Sequence, residues 1–264
     1  MTRPALWNDL RQRLASGTVM IAIGVAGVYA GGIAFHLMVG LICGLMAWEL
    51  MSMLRPQGRF GARSFGLVVG IAATVVPYLP AGLALPILFA PGLLAIGIAP
   101  QKRVAGALYT LAILLGGFGM IGLRDSFGIP WILWLIGVVV ATDVFGYFAG
   151  RLIGGPKFWP RVSPKKTWSG TIAGWIASAI VAVVAISMLG AGWGLVGVSI
   201  AMSMASQMGD VAESALKRRV GVKDASSLIP GHGGLMDRFD GMIGAALFLT
   251  LVQAYIDFPP GIAS

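Results

Sequence analysis

Long apolar segments alternate with short polar ones along the whole chain, and this alternation predicts helices that cross a membrane. The apolar segments approach 20 residues, the length that an α-helix needs to span about 30 Å of hydrocarbon. They are continuously apolar rather than alternating from residue to residue, which favours helices over the strands of a barrel. We predict nine spans, at about residues 18–34, 35–54, 65–80, 82–99, 104–123, 130–149, 170–189, 191–209 and 239–257.

Glycine and proline punctuate these spans. Gly31-Gly32 predicts a tight turn between the first and second spans, and Pro77, Pro80 and Pro86 predict the turn between the third and fourth. These residues interrupt regular helix by backbone freedom or by the lack of an N–H group. The predicted fold is therefore an all-α bundle of about nine transmembrane helices.

Composition supports one membrane domain. Of 264 residues, 57% are hydrophobic and 11% are charged, whereas soluble domains carry about 25% charged residues. We predict a single domain over 1–264, with a five-span portion at 1–129 and a catalytic portion at 130–264. The polar N-terminus does not resemble a cleaved signal peptide, so we expect the first span to remain. Cys43 is the only cysteine, which excludes an intramolecular disulfide and a thiolate metal site.

Charge predicts the orientation of the bundle. A net charge of +9 is compatible with nucleic-acid binding, but in a membrane protein it indicates basic loops that face anionic lipid in the cytoplasm. We therefore predict no nucleic-acid partner. With nine spans, all of the 19 basic residues except Arg124 fall on one side, which predicts a cytoplasmic N-terminus and an external C-terminus. The cytoplasmic set is Arg3, Arg11, Arg13, Arg55, Arg59, Arg63, Lys102, Arg103, Arg151, Lys157, Arg161, Lys165, Lys166, Lys217, Arg218, Arg219, Lys223 and Arg238.

The stretch 209–241 is richer in acidic and basic residues than topology requires. Asp210, Ser214 and Lys217 follow the spacing i, i+4, i+7, which places them on one helical face. That face is predicted to meet a ligand. Glu213 has a simpler interpretation, a helix end in water where it pairs with Lys217 across one turn.

A glycine-rich segment follows. Gly231, Gly233 and Gly234 can adopt positive φ and can bring backbone N–H groups close to an anion, and His232 between them could donate to a phosphate oxygen. The alternative is an ordinary glycine-rich turn before a helix.

Two carboxylates stand at the start of the ninth predicted span. Asp237 and Asp240 are three residues apart, which suits an N-terminal helix cap and the helix dipole. The same spacing suits a hard cation such as Mg²⁺ that bridges to phosphates. Spacing alone leaves these two interpretations open.

Other polar residues lie in or beside apolar spans. Asp143 falls within the sixth span, where an ionisable group indicates function or a structural ion pair. Lys165 and Lys166 are either topology signals or contacts to a polyphosphate. Glu49 and His36 have no motif around them and are interpreted as structural.

The C-terminal half of the chain resembles the phosphatidate cytidylyltransferases, also called CDP-diacylglycerol synthases. Upstream of the main motif, the family's pattern matches Asp143, Tyr147, Gly150, Arg151 and the run from Ser163 to Thr167. Ser169 departs from it, since the family commonly has Glu there. The N-terminal spans match only in hydropathy. The main motif is matched by Ser214, Lys217, Arg218, Lys223, Asp224, Pro230, His232, Gly233, Gly234, Asp237, Arg238 and Asp240.

The resemblance implies transfer of CMP from CTP to phosphatidic acid, which gives CDP-diacylglycerol and pyrophosphate with the help of Mg²⁺. It implies a multi-pass protein of the cell inner membrane with its site facing the cytoplasm, and association into homodimers. Metal ligands are then expected at Asp240, Asp237, Asp210 and Asp143. Catalytic roles are expected at Lys217, Arg218, Lys223, Asp224 and Arg238, and substrate binding at Ser214, His232, Gly233, Gly234, Lys165 and Lys166.

Other classes of membrane protein fit less well. A CTP-dependent lipid kinase shares much of this chemistry, and the transferred group distinguishes it. A CDP-alcohol phosphotransferase would carry an aspartate pattern that the chain lacks. A secondary transporter places polar sites at the midplane between repeated halves, whereas here the charges collect at one surface and no repeat is visible.

Overall fold

The structure is a computed structural model, which describes the backbone of residues 3–55 and 59–260 and the side chains of residues 11–55 and 61–260. The side chains of Arg3 and Arg59, which count toward the predicted charge distribution, lie outside this description. The described helices are α1 (Arg3–Ala30), α2 (Gly32–Leu54), α3 (Arg59–Val75), α4 (Ala81–Ile98), α5 (Arg103–Phe127), α6 (Ile129–Leu152), α7 (Trp168–Leu189), α8 (Gly194–Val220) and α9 (Met236–Val252). The described strands are β1 (Lys157–Trp159) and β2 (Ser163–Thr167).

The predicted helical membrane fold is confirmed, because each predicted span corresponds to one of these helices. Eight helices in the described part of the chain are long and apolar enough to cross a membrane; α9, with 17 residues, falls outside that set. The protein is thus a polytopic membrane protein. The helices α1 and α8 extend well beyond the predicted apolar segments, since polar residues can continue a helix outside hydrocarbon.

The predicted turn at Gly31 is confirmed, and one proline was misplaced by the prediction. Gly31 separates α1 from α2 with φ of 62°. Pro80 occupies the N-cap position of α4, but Pro86 lies inside that helix rather than in the turn before it. Membrane helices tolerate interior proline because neighbouring groups can satisfy the freed carbonyls.

A short β-hairpin between α6 and α7 was not predicted. The strand β1 pairs with β2 in an antiparallel ladder, and Phe158 packs edge-on against Trp168 with ring centroids 4.9 Å apart. Pro160 and Pro164 disfavour a helix through this polar segment. An isolated two-stranded hairpin is marginal in water, so its attachment to α7 is what fixes it.

The chain divides into two compact units. One comprises the chain up to Asp125 together with residues 219–239, and the other comprises residues 126–218 and the chain from Asp240 onward. The first break is close to the predicted division at 129, but the segment 219–239 belongs with the N-terminal helices. The polar stretch 209–241 is therefore shared between the two units.

In the first unit, α2 and α3 pack closely through glycine. A Cβ atom at Gly40 would lie 2.8 Å from the carbonyl oxygen of Gly70, and one at Gly44 would lie 2.8 Å from that of Gly66. Glycine at these positions lets the two backbones approach, as is common between membrane helices.

The second unit uses the same device at two helix pairs. A Cβ atom at Gly170 on α7 would lie 2.5 Å from the carbonyl oxygen of Gly146 on α6. On α8 and α9, Gly209 faces the carbonyl oxygen of Asp240 with no room for a side chain. These close crossings hold α6 against α7, and α8 against the part of α9 that begins at Asp240.

Candidate active site

Three aspartates from three helices form a carboxylate cluster in the second unit. Asp143 lies on α6, Asp210 on α8 and Asp240 on α9. The charges of Asp210 and Asp240 both act on Asp143, and the charge of Asp210 also acts on Asp240. Carboxylates within each other's electrostatic reach repel one another, so positive charge among them is favourable. The structure thus places three of the four residues that the sequence predicts as metal ligands within electrostatic reach of one another.

Glu213 is a buried neighbour of this cluster. Its side chain lies beside Asp240, and the residue is 0% exposed. The Nζ atom of Lys217 lies 3.2 Å from Glu213 Oε2, which confirms the predicted pairing across one helical turn. The accompanying interpretation, a helix end in water, is wrong for Glu213, because α8 continues to Val220 and buries this turn.

Lys166 supplies positive charge to the carboxylate cluster from the hairpin. Its Nζ atom lies 2.5 Å from Asp210 Oδ2 and donates to the carbonyl oxygen of Gln207 at 3.2 Å. The other oxygen of Asp210 accepts from the Ser214 hydroxyl at 3.3 Å. Lys165 is exposed, because neighbouring residues of a strand point to opposite faces. The structure therefore separates two lysines that the sequence treats as a pair.

Sequence reasoning recognised only the last part of a longer polar stripe on α8. Thr142 on α6 donates to the Ser203 hydroxyl at 2.7 Å, and Trp175 on α7 donates to the side-chain oxygen of Gln207 at 3.1 Å. Hydrogen bonds of this kind hold membrane helices together. The spacing of three or four residues would have revealed the stripe. Its members are Ser199, Ser203, Gln207, Asp210, Ser214 and Lys217.

The carboxylate cluster has the donor chemistry of a magnesium site. Carboxylate oxygens are the protein ligands that Mg²⁺ prefers, and the mutual repulsion of three carboxylates favours a divalent cation. Within residues 11–55 and 61–260, no group of three or more His, Cys, Asp or Glu side chains is already arranged to hold a metal ion. In the described arrangement the positive charge beside Asp210 is the ammonium group of Lys166.

A glycine loop, defined here as residues 226–236, connects α8 to α9 in the first unit. Ile229 and Gly233 form an antiparallel bridge, and Gly231 and Gly233 have φ of 76° and 85°. Glycine is required at both positions because other residues rarely adopt such angles. The predicted positive φ is thus confirmed at these two residues, whereas Gly234 is absent from the positive-φ glycines.

Several backbone N–H groups of this loop donate to acceptors within the protein. Those of His232 and Gly233 donate to the carbonyl oxygen of Ile229, at 2.9 and 3.1 Å. The N–H groups of Leu235 and Met236 donate to the Glu49 carboxylate, at 2.9 and 2.7 Å. In this conformation the loop is not an open cradle of N–H donors, and the role predicted for Gly233 and Gly234 in phosphate binding stays a prediction.

Asp237 organises the same loop. Its Oδ2 atom accepts N–H bonds from Gly234 at 2.8 Å and from Ala225 at 2.9 Å. The N-cap interpretation fails, because α9 begins at Met236 and Asp237 lies inside its first turn. The carboxylate points back to the loop rather than to the next N–H groups of the helix. Metal binding by Asp237 stays a prediction.

His232 is held by a residue that the sequence did not indicate. Its Nδ1 atom lies 2.8 Å from the Ser16 hydroxyl on α1, and that hydroxyl is also 3.1 Å from the carbonyl oxygen of Pro230. The guanidinium of Arg238 donates through Nε to the carbonyl oxygen of His232 at 3.1 Å. A serine within a polar helix start carries no recognisable pattern, so Ser16 could be found only from the structure.

The remaining predicted residues are cations and one carboxylate at the surface. Arg218 lies near the end of α8, and Lys223 and Asp224 precede the glycine loop; all three are exposed. Exposed lysine and arginine side chains are free to change rotamer when an anion binds. The predicted contacts of Arg218 and Lys223 with substrate phosphates, and the predicted catalytic role of Asp224, stay predictions.

Comparison with known proteins identifies the family of the chain. The model of the Cytidylyltransferase family matches residues 11–256. A phosphatidate cytidylyltransferase of Brucella abortus is 34% identical over 96% of both chains. One of Helicobacter pylori is 31% identical over 94% of this chain and 93% of its own, and one of Staphylococcus saprophyticus is 41% identical over 57% of this chain and 60% of its own. The match extends through the N-terminal helices, and the chain therefore belongs to the Cytidylyltransferase family.

Proposed function

We propose that this protein is a phosphatidate cytidylyltransferase, which transfers CMP from CTP to phosphatidic acid. The observation that carries the proposal is the carboxylate cluster with Lys166 and Lys217 beside it, in a chain of the Cytidylyltransferase family. Carboxylates that can hold a metal ion, next to ammonium groups that can bind phosphate oxygens, are typical of sites that bind a metal-bound polyphosphate. The names of the relatives supply the lipid substrate.

The reaction makes one P–O bond and breaks another. A phosphate oxygen of phosphatidic acid attacks the α-phosphorus of CTP, the bond between that phosphorus and the bridging oxygen to the β-phosphate breaks, and pyrophosphate leaves with the electron pair. A phosphomonoester with a second pKa of about 6 is already mostly ionised at neutral pH. The protein therefore needs no strong general base, and its main task is to bring two anions together.

The carboxylate cluster is the proposed Mg²⁺ site. Asp143, Asp210 and Asp240 would hold the ion, which when bound neutralises phosphate charge and acts as a Lewis acid. We leave Asp237 out of this set because its Oδ2 atom holds two N–H groups of the glycine loop. Lys166, which pairs with Asp210, would bind a phosphate oxygen of the substrate. Ser214, already bonded to Asp210, would keep that carboxylate oriented.

We propose further phosphate contacts from His232, Lys217, Arg218, Lys223 and Arg238. Histidine fixed at Nδ1 by Ser16 presents its other nitrogen for a hydrogen bond. The arginines can bind phosphate through two N–H groups at once.

The proposed location is the inner membrane, with the site facing the cytoplasm. Basic residues other than Arg124 fall on one side of the predicted spans, and such residues are retained in the cytoplasm. Phosphatidic acid would then reach the site from the bilayer, and CTP would reach it from the cytoplasm. The homodimer that the sequence resemblance implies stays a prediction.

The test is a transfer assay with purified protein in nanodiscs that contain phosphatidic acid. CTP labelled at the α-phosphate should pass its label to the lipid in the presence of Mg²⁺, with one pyrophosphate released per lipid modified. CTP labelled at the γ-phosphate should label no lipid. Transfer of the γ-label would instead identify a CTP-dependent lipid kinase. The absence of any transfer would contradict both proposed activities.

A further inference from the structure

Glu49 is a fully buried acidic residue in the apolar helix α2, and it binds both ends of the glycine loop. The residue is 0% exposed. At the start of the loop, the hydroxyl of Ser226 donates to Glu49 Oε1 at 2.6 Å. At the end of the loop, the N–H of Leu235 donates to Oε1 and that of Met236 to Oε2, at 2.9 and 2.7 Å. One carboxylate thus closes the base of the loop.

The N–H groups that Glu49 accepts are those at the beginning of α9. Groups in this position lack partners within the helix and favour a negative charge. A Ser or Asp next to the helix would satisfy them locally. Here the acceptor comes from a residue 186 positions away in sequence. A local cap stabilises a helix wherever it lies, whereas a cap from α2 also fixes where α9 begins.

Gly234 leaves space for this contact. A Cβ atom on it would lie 2.8 and 2.9 Å from the two carboxylate oxygens of Glu49, and the φ of Gly234 is not in the glycine-only region. The glycine is therefore needed for close approach of the carboxylate rather than for backbone conformation. The motif glycine and the buried glutamate form one contact.

We propose that Glu49 is a positioning residue for the reaction. It fixes the start of α9, and with it Asp237 and Arg238 in the first turn of that helix. The Glu49 carboxylate also accepts the N–H groups of Leu235 and Met236 at the start of α9. These N–H groups are therefore not available to a phosphate, which side chains would bind instead. This inference rests on the proposed function for its kinetic test.

The first experiment compares Glu49→Gln with His36→Gln in nanodiscs. His36 is the matched control, since it is a buried polar residue of the same helix whose partner is Asp125, at 2.7 Å. Glu49→Gln should lower kcat for CMP transfer by about 100-fold, as expected when catalytic groups move by about 1 Å, and should change KM for CTP by less than about threefold. His36→Gln should retain kcat within about threefold of the unmodified protein, even if its melting temperature falls as much as that of Glu49→Gln.

The second experiment is a double-mutant cycle between Glu49 and Gly234. Gly234→Ala should lower kcat strongly in the unmodified protein, because the added methyl group displaces the carboxylate. In a Glu49→Ala background the further loss should be much smaller, because the two closest colliding atoms are gone and only the Cβ atom of Ala225 remains close, at 3.0 Å. Strict additivity would overturn the proposal. So would near-normal kcat in Glu49→Gln, or an equal loss in His36→Gln.

A third measurement separates failure of this inference from failure of the proposed function. If the unmodified protein transfers no CMP, the function fails, and amide hydrogen exchange still tests the contact. Exchange at Leu235 and Met236 should accelerate at least about tenfold in Glu49→Gln, and should stay unchanged in His36→Gln. Unchanged exchange in Glu49→Gln would overturn the role of Glu49 whatever the activity.

Discussion

Asp240→Asn should abolish CMP transfer and should not destabilise the metal-free protein. The substitution removes one negative charge from the carboxylate cluster and nearly preserves the side-chain shape. The amide oxygen of asparagine can still accept the N–H of Gly241, which Asp240 Oδ1 now accepts at 2.7 Å. Loss of function with retained stability is the mark of a residue kept for a ligand rather than for the fold.

The expected magnitudes follow from the charges that face Asp240. At an effective dielectric constant of about 20, two carboxylates about 6 Å apart repel each other by about 3 kcal/mol, and solvent and salt reduce this to about 1 kcal/mol at a part-buried site. Metal-free Asp240→Asn should thus be as stable as the unmodified protein or about 1 kcal/mol more stable. Its kcat should fall at least about 1000-fold, equivalent to about 4 kcal/mol of transition-state stabilisation.

The assay combines CMP transfer with thermal unfolding in detergent, each measured with and without Mg²⁺. Saturating Mg²⁺, at about 100 times its Kd, should stabilise the unmodified protein by about 2.7 kcal/mol, and this gain should disappear in Asp240→Asn. Asp257→Asn is the matched control, because it makes the same charge change at an exposed position. It should retain activity and the Mg²⁺ effect.

Two outcomes would refute the assignment of Asp240 to the metal. One is near-normal CMP transfer by Asp240→Asn. The other is lost transfer with an unchanged Mg²⁺-dependent rise in melting temperature, which would place the ion elsewhere and leave Asp240 with a different role.

Three further changes test other contacts. Lys166→Met should lower CMP transfer by about 100-fold, because it removes the ammonium group that pairs with Asp210, while Lys157→Met, at an exposed position of the same hairpin, should lower it less than about threefold in the same assay. Ser16→Ala should lower transfer by about tenfold and cause no further loss in a His232→Ala background, since it acts through that ring. Gly170→Val should destabilise the protein by about 1–3 kcal/mol through collision with α6, measured as melting temperature in detergent.

Sequence reasoning predicts most of the helical fold because hydrophobic length is a strong constraint in a membrane. The nine α-helices of the described residues all follow from apolar segments near 20 residues long. Their ends are less predictable, since polar residues continue α1 and α8 beyond hydrocarbon, and Pro86 lies within a helix that neighbouring groups can stabilise. The hairpin β1–β2 was missed because it is short and depends on the start of α7.

The carboxylate cluster was predictable and the support of the glycine loop was not. Asp143, Asp210 and Asp240 are costly within or beside apolar helices, so each attracts attention on its own. Glu49 is just as costly, but it bonds to residues nearly 190 positions away, and no local spacing reveals such a partner. At Gly234 the close approach is to the carboxylate of Glu49, whereas the predicted contact of the glycines with a phosphate stays a prediction.

The polar stripe of α8 also bears on how the protein is assembled. Of the eight apolar helices, α8 has the lowest mean hydropathy, because serine, glutamine and aspartate repeat along one of its faces. Such a segment enters lipid reluctantly by itself. Its hydroxyl groups meet Trp134 and Thr142 on α6, a helix that emerges earlier from the ribosome. Membrane insertion of α8 should therefore depend on prior insertion of α6, so that substitutions in α6 can impair the biogenesis of a helix synthesised long afterwards.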